Sequence, residues 1–383
     1  MLIRFKKNDG TEYPQWEEKR LGEISNIDKG QQISEENIDI NGRYYHLNGG
    51  VTPSNRTNLF NREANTISIS EGGNSCGYVK WNSEKFFSGG HNYTLQNIRN
   101  SIDDKYLFQF LKSIESNIMK LRVGGALPNI QKKDISKVLI KLPCFEEQQK
   151  IADFLSTVDQ KISAQKAIVV DYEELKKGTM QKIFNQELRF RDDNGNEFPE
   201  WEKEKLGTLT TALSNKNKDN DLDVYSISNQ NGFVPQNMQF EDRTIASENR
   251  SNYKVVEYRN YAYNPSRINV GSIAFLKENK KVIVSPLYVI FKCNEEKLTC
   301  EFLENYLKTD NFKKGMQQNI KGSVRESLDY EGFSDIKIML PCLEEQKKIA
   351  DCLSALDRKI EAEKKILADL EELKKGLLQA IFN

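Results

Sequence analysis

The sequence predicts an α+β protein with two globular segments of mixed helix and strand. Two long helices join them and pair as an intramolecular antiparallel coiled coil, in a circular, pseudo-twofold repeat. Three observations carry this prediction. The tract from Leu142-Pro143-Cys144 to Ile183-Phe184-Asn185 returns 198 positions later as Leu340-Pro341-Cys342 to Ile381-Phe382-Asn383, with 29 of 44 residues identical. A shorter tract, Arg4-Phe5 through Pro14-x-Trp16 to Leu21-Gly22, returns 185 positions later as Arg189-Phe190 through Pro199-x-Trp201 to Leu206-Gly207. Within the longer tract, apolar residues recur at steps of three and four, the spacing of a helical stripe. Frames repeated on divergent inserts point to one partner surface used twice and two different things being read.

The order of elements follows from these tracts. Residues 1–142 and 186–340 are the expected globular segments, and 143–185 and 341–383 the helical regions. The first insert, residues 14–142, has strand-like runs at 65–70 and 77–81 and a helical stretch at 105–121, then a loop at Gly124-Gly125. The first long helix opens after Pro143, with Glu146-Glu147 in its first turn, where acidic groups suit the helix dipole. Its stripe is Ile151, Leu155, Val158, Ile162, Val169 and Tyr172. The second insert, residues 199–340, repeats the order with strand-like runs at 282–285 and 287–292, a helical stretch at 300–316 and a loop at Gly322. Around Gly77 and Gly271 the inserts align at an offset of 194, so a shared fold is expected. The second long helix follows Pro341, with the stripe Ile349, Leu353, Leu356, Ile360, Leu367 and Leu370.

About forty residues at about 1.5 Å each make a rod of roughly 60 Å, which cannot bury its own stripe. The other copy is the simplest partner. One seam position is polar in both copies, Gln165 and Glu363, a placement that costs stability and fixes register. After the first rod the chain runs Phe184-Asn185-Gln186-Glu187-Leu188-Arg189-Phe190, and the continuation missing after Phe382-Asn383 is found at the start as Ile3-Arg4-Phe5. The two ends are therefore expected side by side.

Composition narrows the function. At 38% hydrophobic and 29% charged residues, with no apolar run near the roughly 18–20 residues of a spanning helix, a cytoplasmic protein without membrane partners is expected. Six scattered cysteines and two histidines, His46 and His91, include no C-x-x-C pair, so no metal site is expected. His91 reads as structural, and Trp16 and Trp201 as packing anchors. Net charge is zero, so nucleic-acid binding needs local segregation of charge. Residues 243–292 supply it, with nine Lys or Arg against three acids and with Tyr253, Tyr258, Tyr261 and Tyr263 interleaved. That stretch is either a phosphate- and base-contacting surface or the solvated basic face of a sheet.

The candidate contacts lie in loops rich in Gly, Asn and basic residues, because cations neutralise phosphates while amides and Arg hydrogen-bond base edges. In the first insert they are Lys29, Gln31, Gln32, Asn48, Ser70, Asn74, Arg122 and Asn129; in the second, Lys216, Lys218, Asn229, Arg243, Asn264, Ser266, Arg267, Lys321, Ser323 and Arg325. Gly and Asn are also ordinary turn residues, so some of these loops are expected to be turns only. Asn264-Pro265-Ser266-Arg267 lacks the second proline and the aromatic of an adenine methyltransferase motif, and no glycine-rich turn for S-adenosylmethionine accompanies it. It reads as a turn that presents side chains. No Cys-His or Ser-His-Asp/Glu arrangement repeats across the halves.

Leu-Pro-Cys-x-Glu-Glu-Gln-x-Lys-Ile-Ala-Asp, beginning at Leu142 and Leu340, and Glu-x-Pro-x-Trp-Glu leading to Leu-Gly, beginning at Glu12 and Glu197, closely resemble specificity subunits of type I restriction-modification enzymes. Tyr263-Asn264-Pro265-Ser266-Arg267 followed by Val270-Gly271-Ser272 is similar to that family's pattern in the second insert. The resemblance implies two target-recognition domains, each reading one half of a bipartite site in double-stranded DNA. It implies helices that act as a spacer and bind two methyltransferase subunits, with restriction/translocase subunits completing the complex. Catalysis would belong to those partners, which use S-adenosylmethionine, ATP and magnesium; this chain would hold no cofactor and be no enzyme. Two other readings stay open: a coiled-coil scaffold with two protein-binding domains, and a self-contained adenine methyltransferase.

Overall fold

A computed structural model describes residues 3–218, 222–229, 231–236, 250–320 and 327–382 of the 383-residue chain. The chain forms two compact units, Met1–Ile168 with Glu363–Asn383, and Val169–Ala362. The long helices are Phe145–Phe184 and Leu343–Phe382, 40 residues each. Each unit therefore contains the start of one helix and the end of the other.

In the first unit, four antiparallel strands form a sheet in the order Asn26–Lys29, Asn92–Gln96, Thr66–Ser70, Val79–Asn82. A three-stranded sheet of Asn55–Thr57, Tyr44–Leu47 and Phe86–Ser88 accompanies it. The core joins Ile67, Ile69 and Leu95 of the main sheet to Tyr106, Leu107 and Phe110 of helix Asp104–Ser113, and to Ile151 and Leu155 of the first long helix. Phe382, from the end of the second long helix, closes it, 5.3 to 6.3 Å between ring centroids from Trp16, Tyr106 and Phe110.

The second unit repeats the plan. Its sheet runs Thr210–Leu213, Val289–Cys293, Tyr261–Tyr263, Ile273–Phe275, all antiparallel. Phe184 takes the place of Phe382, packing on Trp201, Phe302 and Tyr306. In both units a two-stranded ribbon ties the start of the insert to its end, Glu17–Arg20 with Leu139–Leu142 and Glu202–Lys205 with Lys337–Leu340, so each insert leaves the frame and returns at one point. The glycine after each ribbon is needed there: a Cβ on Gly22 would meet Ser136 at 3.0 Å, and one on Gly207 would meet Ser334 at 2.8 Å.

The repeated frame residues have a shared structural role. Glu147 is fully buried and accepts from Arg4 Nε (3.0 Å) and Trp16 Nε1 (3.1 Å). Glu345, also fully buried, accepts from Arg189 Nε (2.8 Å) and Trp201 Nε1 (2.9 Å). Beside each, Gln148 and Gln346 bond the backbone at Asp103 and Thr299, both at 2.9 Å, where a helix of the insert starts. The Glu-Glu-Gln motif thus clamps insert to rod, and the two tryptophans are anchors with polar tips.

The helices pair antiparallel. In the first unit Asp159 meets Lys374 and Lys166 meets Glu371; in the second, Lys176 meets Asp357. The polar seam residues pair with each other, Gln165 Nε2 donating to Glu363 Oε2 at 2.5 Å. The chain start continues the second helix as expected: Ile3 N donates to Ala380 O (2.7 Å), and the corresponding Leu188 N donates to Lys182 O (3.1 Å).

The helical stretches expected at 105–121 and 300–316 are each two helices. Asp104–Ser113 and Glu115–Lys120 break where the Glu115 carboxylate accepts from Val79 N (2.8 Å) and Lys112 Nζ (2.6 Å). Cys300–Tyr306 and Asp310–Asn319 break at Thr309, whose hydroxyl caps the second helix. Among the described residues, no helix is long and apolar enough to cross a membrane.

Candidate nucleic-acid interface

In both units the loop between the second pair of sheet strands is built in the same way. Ser70 N donates to Tyr78 O (2.9 Å), and Asn264 N to Ser272 O (3.1 Å). Gly77 and Gly271 close the loops in the left-handed region, at φ +92° and +93°, which favours glycine. A later segment pairs with each loop, through Ile130 N to Glu71 O (2.9 Å) and Leu328 N to Pro265 O (3.1 Å). The offset of 194 that aligned the inserts relates Ser70 to Asn264, Glu71 to Pro265 and Tyr78 to Ser272 in these hydrogen bonds, whereas the later segments, Ile130 and Leu328, stand 198 apart.

In the first unit the loops that carry the sequence-predicted residues, around residues 29–32, Asn48, residues 70–74 and residues 122–129, converge. Lys29 Nζ bonds Glu71 Oε1 at 2.5 Å. Gln31 N donates to Ser88 O (2.9 Å), and the Gln32 side chain covers Gly90. Asn48 Oδ1 accepts from His91 N (2.9 Å), while a bridge between Gly72 and Asn129 brings in the loop that Arg122 starts. Lys29, Gln31, Gln32, Asn74, Arg122 and Asn129 are exposed, and Asn48 is half-buried. Ser70 departs from expectation: it is 2% exposed, and its hydroxyl donates to Gly49 O, so its side chain is turned inward and holds two loops together.

In the second unit, Asn264, Ser266 and Arg267 form one turn, with Arg267 N donating to Asn264 O (3.0 Å) and Ser266 N to Asn264 Oδ1 (3.1 Å). The turn leads to Gly271, which packs near Asn229. Ser266, Arg267 and Asn229 are exposed. Lys216 and Lys218 are exposed on a different segment, which pairs with the backbone around Tyr253 and Lys254. Arg243, Lys321, Ser323 and Arg325 lie outside the described residues.

The basic stretch 243–292 is less available than its sequence implies. Arg259 is bound to Glu295 and Glu301, Lys277 to Glu304, Lys280 to Glu278, and Lys281 to Glu257. The Glu301 and Glu295 carboxylates hold the Arg259 guanidinium far above its ordinary pKa. Tyr261 and Tyr263 are wholly buried, Tyr261 stacked on Phe291 at 4.9 Å. Arg267 and Lys292 are exposed and make no ion pair among the described residues.

Two residues that sequence reasoning did not place among the contacts stand at the centre of the first unit's loops. Glu71 is 5% exposed and bonds Lys29 and Tyr93, whose phenol is pushed up to about 12 by burial and by that bond. The His91 side chain, read from sequence as structural, is 59% exposed, with Nδ1 3.7 Å from Glu71 Oε2. Its backbone is the anchored part. Nothing in the local pattern distinguishes a histidine fixed by its backbone from one buried by its ring.

The sequence matches the type I restriction modification DNA specificity domain twice, over residues 13–171 and 200–372. The chain belongs to the type I restriction-modification DNA specificity family. This specificity chain is 26% identical over 411 residues to the type I restriction enzyme MjaVIII specificity subunit of Methanocaldococcus jannaschii, covering 98% of this chain and 94% of that one. Its fold is similar to the crystal structure of a type I restriction-modification system S subunit from M. genitalium, with a TM-score of 0.64 and 22% identity, covering 100% and 99% of the two chains. A chain from structural work on complex assembly and conformational transition of the type I R-M system is similar at a TM-score of 0.56 and 16% identity, covering 97% and 98%. Each match covers one insert together with much of the long helix that follows it.

Proposed function

We propose that each unit reads one half of a bipartite site in double-stranded DNA through its exposed loop residues, and that the paired helices fix the spacing and dock two methyltransferase subunits. The observation that carries this reading is the loop scaffold common to both units, which bears different outward groups. The first presents Lys29, Gln31, Gln32 and Arg122, and the second presents Asn229, Ser266 and Arg267. A constant backbone with variable cations and amides is what reading two unlike half-sites requires. Lys216, Lys218, Asn48, Asn74, Asn129 and Asn264 are further candidate contacts.

A second feature supports docking on the helices. Ile366 (46% exposed) and Leu373 (53%) lie seven residues apart on one face of the second helix, and their repeat counterparts Ile168 (39%) and Leu175 (52%) are exposed as well. Apolar residues repeated at an exposed face suit two copies of one partner. The methyltransferase and translocase chemistry, with S-adenosylmethionine, ATP and magnesium, belongs in this reading to the partner subunits, and this chain acts in the cytoplasm without catalysis. Exchanging residues 14–142 for those of another family member tests it: one half-site should change and the other persist. Unaltered specificity would contradict the reading.

A further inference from the structure

We propose that His91 is a DNA contact of the first unit that donates from a protonated imidazole to a phosphate oxygen, with its charge held by the buried carboxylate of Glu71. This rests on the DNA reading above and deepens it. His91 stands where the first unit's candidate loops meet. Its N donates to Asn48 Oδ1 (2.9 Å) and its O accepts from Glu71 N (3.0 Å). A Cβ on Gly49 would lie 2.7 Å from its carbonyl, and one on Gly72 would lie 3.9 Å from its Nδ1, so the ring rests over glycine backbone. The backbone is thus held by two loops while the imidazole is 59% exposed.

Beneath the ring is an incomplete polar cluster. Glu71 Oε1 receives Lys29 Nζ (2.5 Å) and Tyr93 OH (2.9 Å), whereas Oε2 is buried with no hydrogen-bond partner among the described residues. His91 Nδ1, 3.7 Å from Oε2, is positioned to turn its N–H toward that oxygen, leaving Nε2 directed outward. The other ionisable groups facing the cluster are the Cys76 thiol, which donates to Glu71 O, and Arg122, which acts on Cys76 electrostatically. In the free chain Lys29 already balances Glu71. A phosphate arriving at Nε2 adds a second negative charge beside the ring, so the imidazole takes up a proton on binding and then donates on both sides. By the 194-residue offset the second unit has Pro265 in place of Glu71, so the device belongs to one unit only.

The test uses the full chain and a duplex bearing the site identified by sequencing methylated bases. Affinity is measured between about pH 6 and pH 8, with proton uptake read by calorimetry in buffers of different ionisation enthalpy. Wild type should lose up to about tenfold more affinity per pH unit than His91→Gln, the limit for one linked proton. His91→Lys, with a permanent charge, should bind well at high pH and share the flat profile. Equal pH slopes for wild type and His91→Gln would overturn the proposal while leaving DNA reading intact. Failure of the wild-type chain to bind DNA in a salt-dependent way would remove the DNA reading and this proposal with it.

Discussion

Replacing Glu345 with alanine should destabilise the second unit by about 3 kcal/mol, and replacing Glu147 should destabilise the first by about 2 kcal/mol. Glu345 is fully buried and accepts from Arg189 Nε (2.8 Å), Arg189 Nη2 (3.0 Å) and Trp201 Nε1 (2.9 Å). Removing one member of a buried pair costs about 3–5 kcal/mol because the other charge is stranded. Water relieves part of that cost: the Arg189 side chain is 24% exposed and that of Arg4 41%, so the first clamp should suffer less. The indole N–H adds more in the second unit, where Trp201 is 5% exposed. For units of this size the larger loss lowers the melting midpoint by about 6–12 °C. Thermal unfolding gives the magnitude, and hydrogen exchange assigns it. Protection should fall at Glu202–Lys205 and Lys337–Leu340 for Glu345→Ala, and at Glu17–Arg20 and Leu139–Leu142 for Glu147→Ala. Losses below about 0.5 kcal/mol at both sites, or protection lost in the opposite unit, would refute the clamp.

Three further outcomes follow from the same structure. Replacing the seam pair Gln165 and Glu363, 9% and 8% exposed, with two leucines should raise stability by about 1–2 kcal/mol in urea denaturation while increasing mispaired or oligomeric species in sedimentation, because the polar pair specifies register. Arg267→Ala should weaken binding to the methylated site by about 1–3 kcal/mol in a fluorescence titration if it reads a base, relaxing one position of one half-site. Burial holds the His46 imidazole below its ordinary pKa, and neither ring nitrogen has a hydrogen-bond partner among the described residues. The unfolded chain therefore binds that proton more readily, so the stability is present above about pH 6.5 and is lost as pH falls. Melts from about pH 7 to pH 5 should decline more steeply for wild type than for His46→Leu, by up to about 1.4 kcal/mol per pH unit.

The frame was legible because its residues obey local rules that a sequence displays directly. Apolar steps of three and four gave both helices and the buried seam at Ile151, Leu155, Ile349 and Leu353. Matching Ile3-Arg4-Phe5 to Leu188-Arg189-Phe190 foretold the contact of Ile3 with Ala380. What escaped depends on tertiary contacts. The breaks at Ile114 and Thr309 arise where Glu115 reaches Val79 and where the buried Thr309 hydroxyl caps the following helix, contacts without a sequence period. Candidate loops were identifiable by composition, but composition does not separate Ser70, whose hydroxyl is turned inward, from Gln31 or Arg122, whose side chains are not. Likewise the tyrosines of 253–263 looked like a contact surface until the strand placed Tyr261 and Tyr263 in the core.

The most direct test of the account is to sequence methylated bases genome-wide in cells with and without this chain, partner subunits present in both. A motif of two short half-sites separated by a fixed unread spacer, methylated only when the chain is present, is the predicted result. Methylation that is unchanged by the chain's removal, or a chain-dependent motif that is a single uninterrupted block, would contradict it.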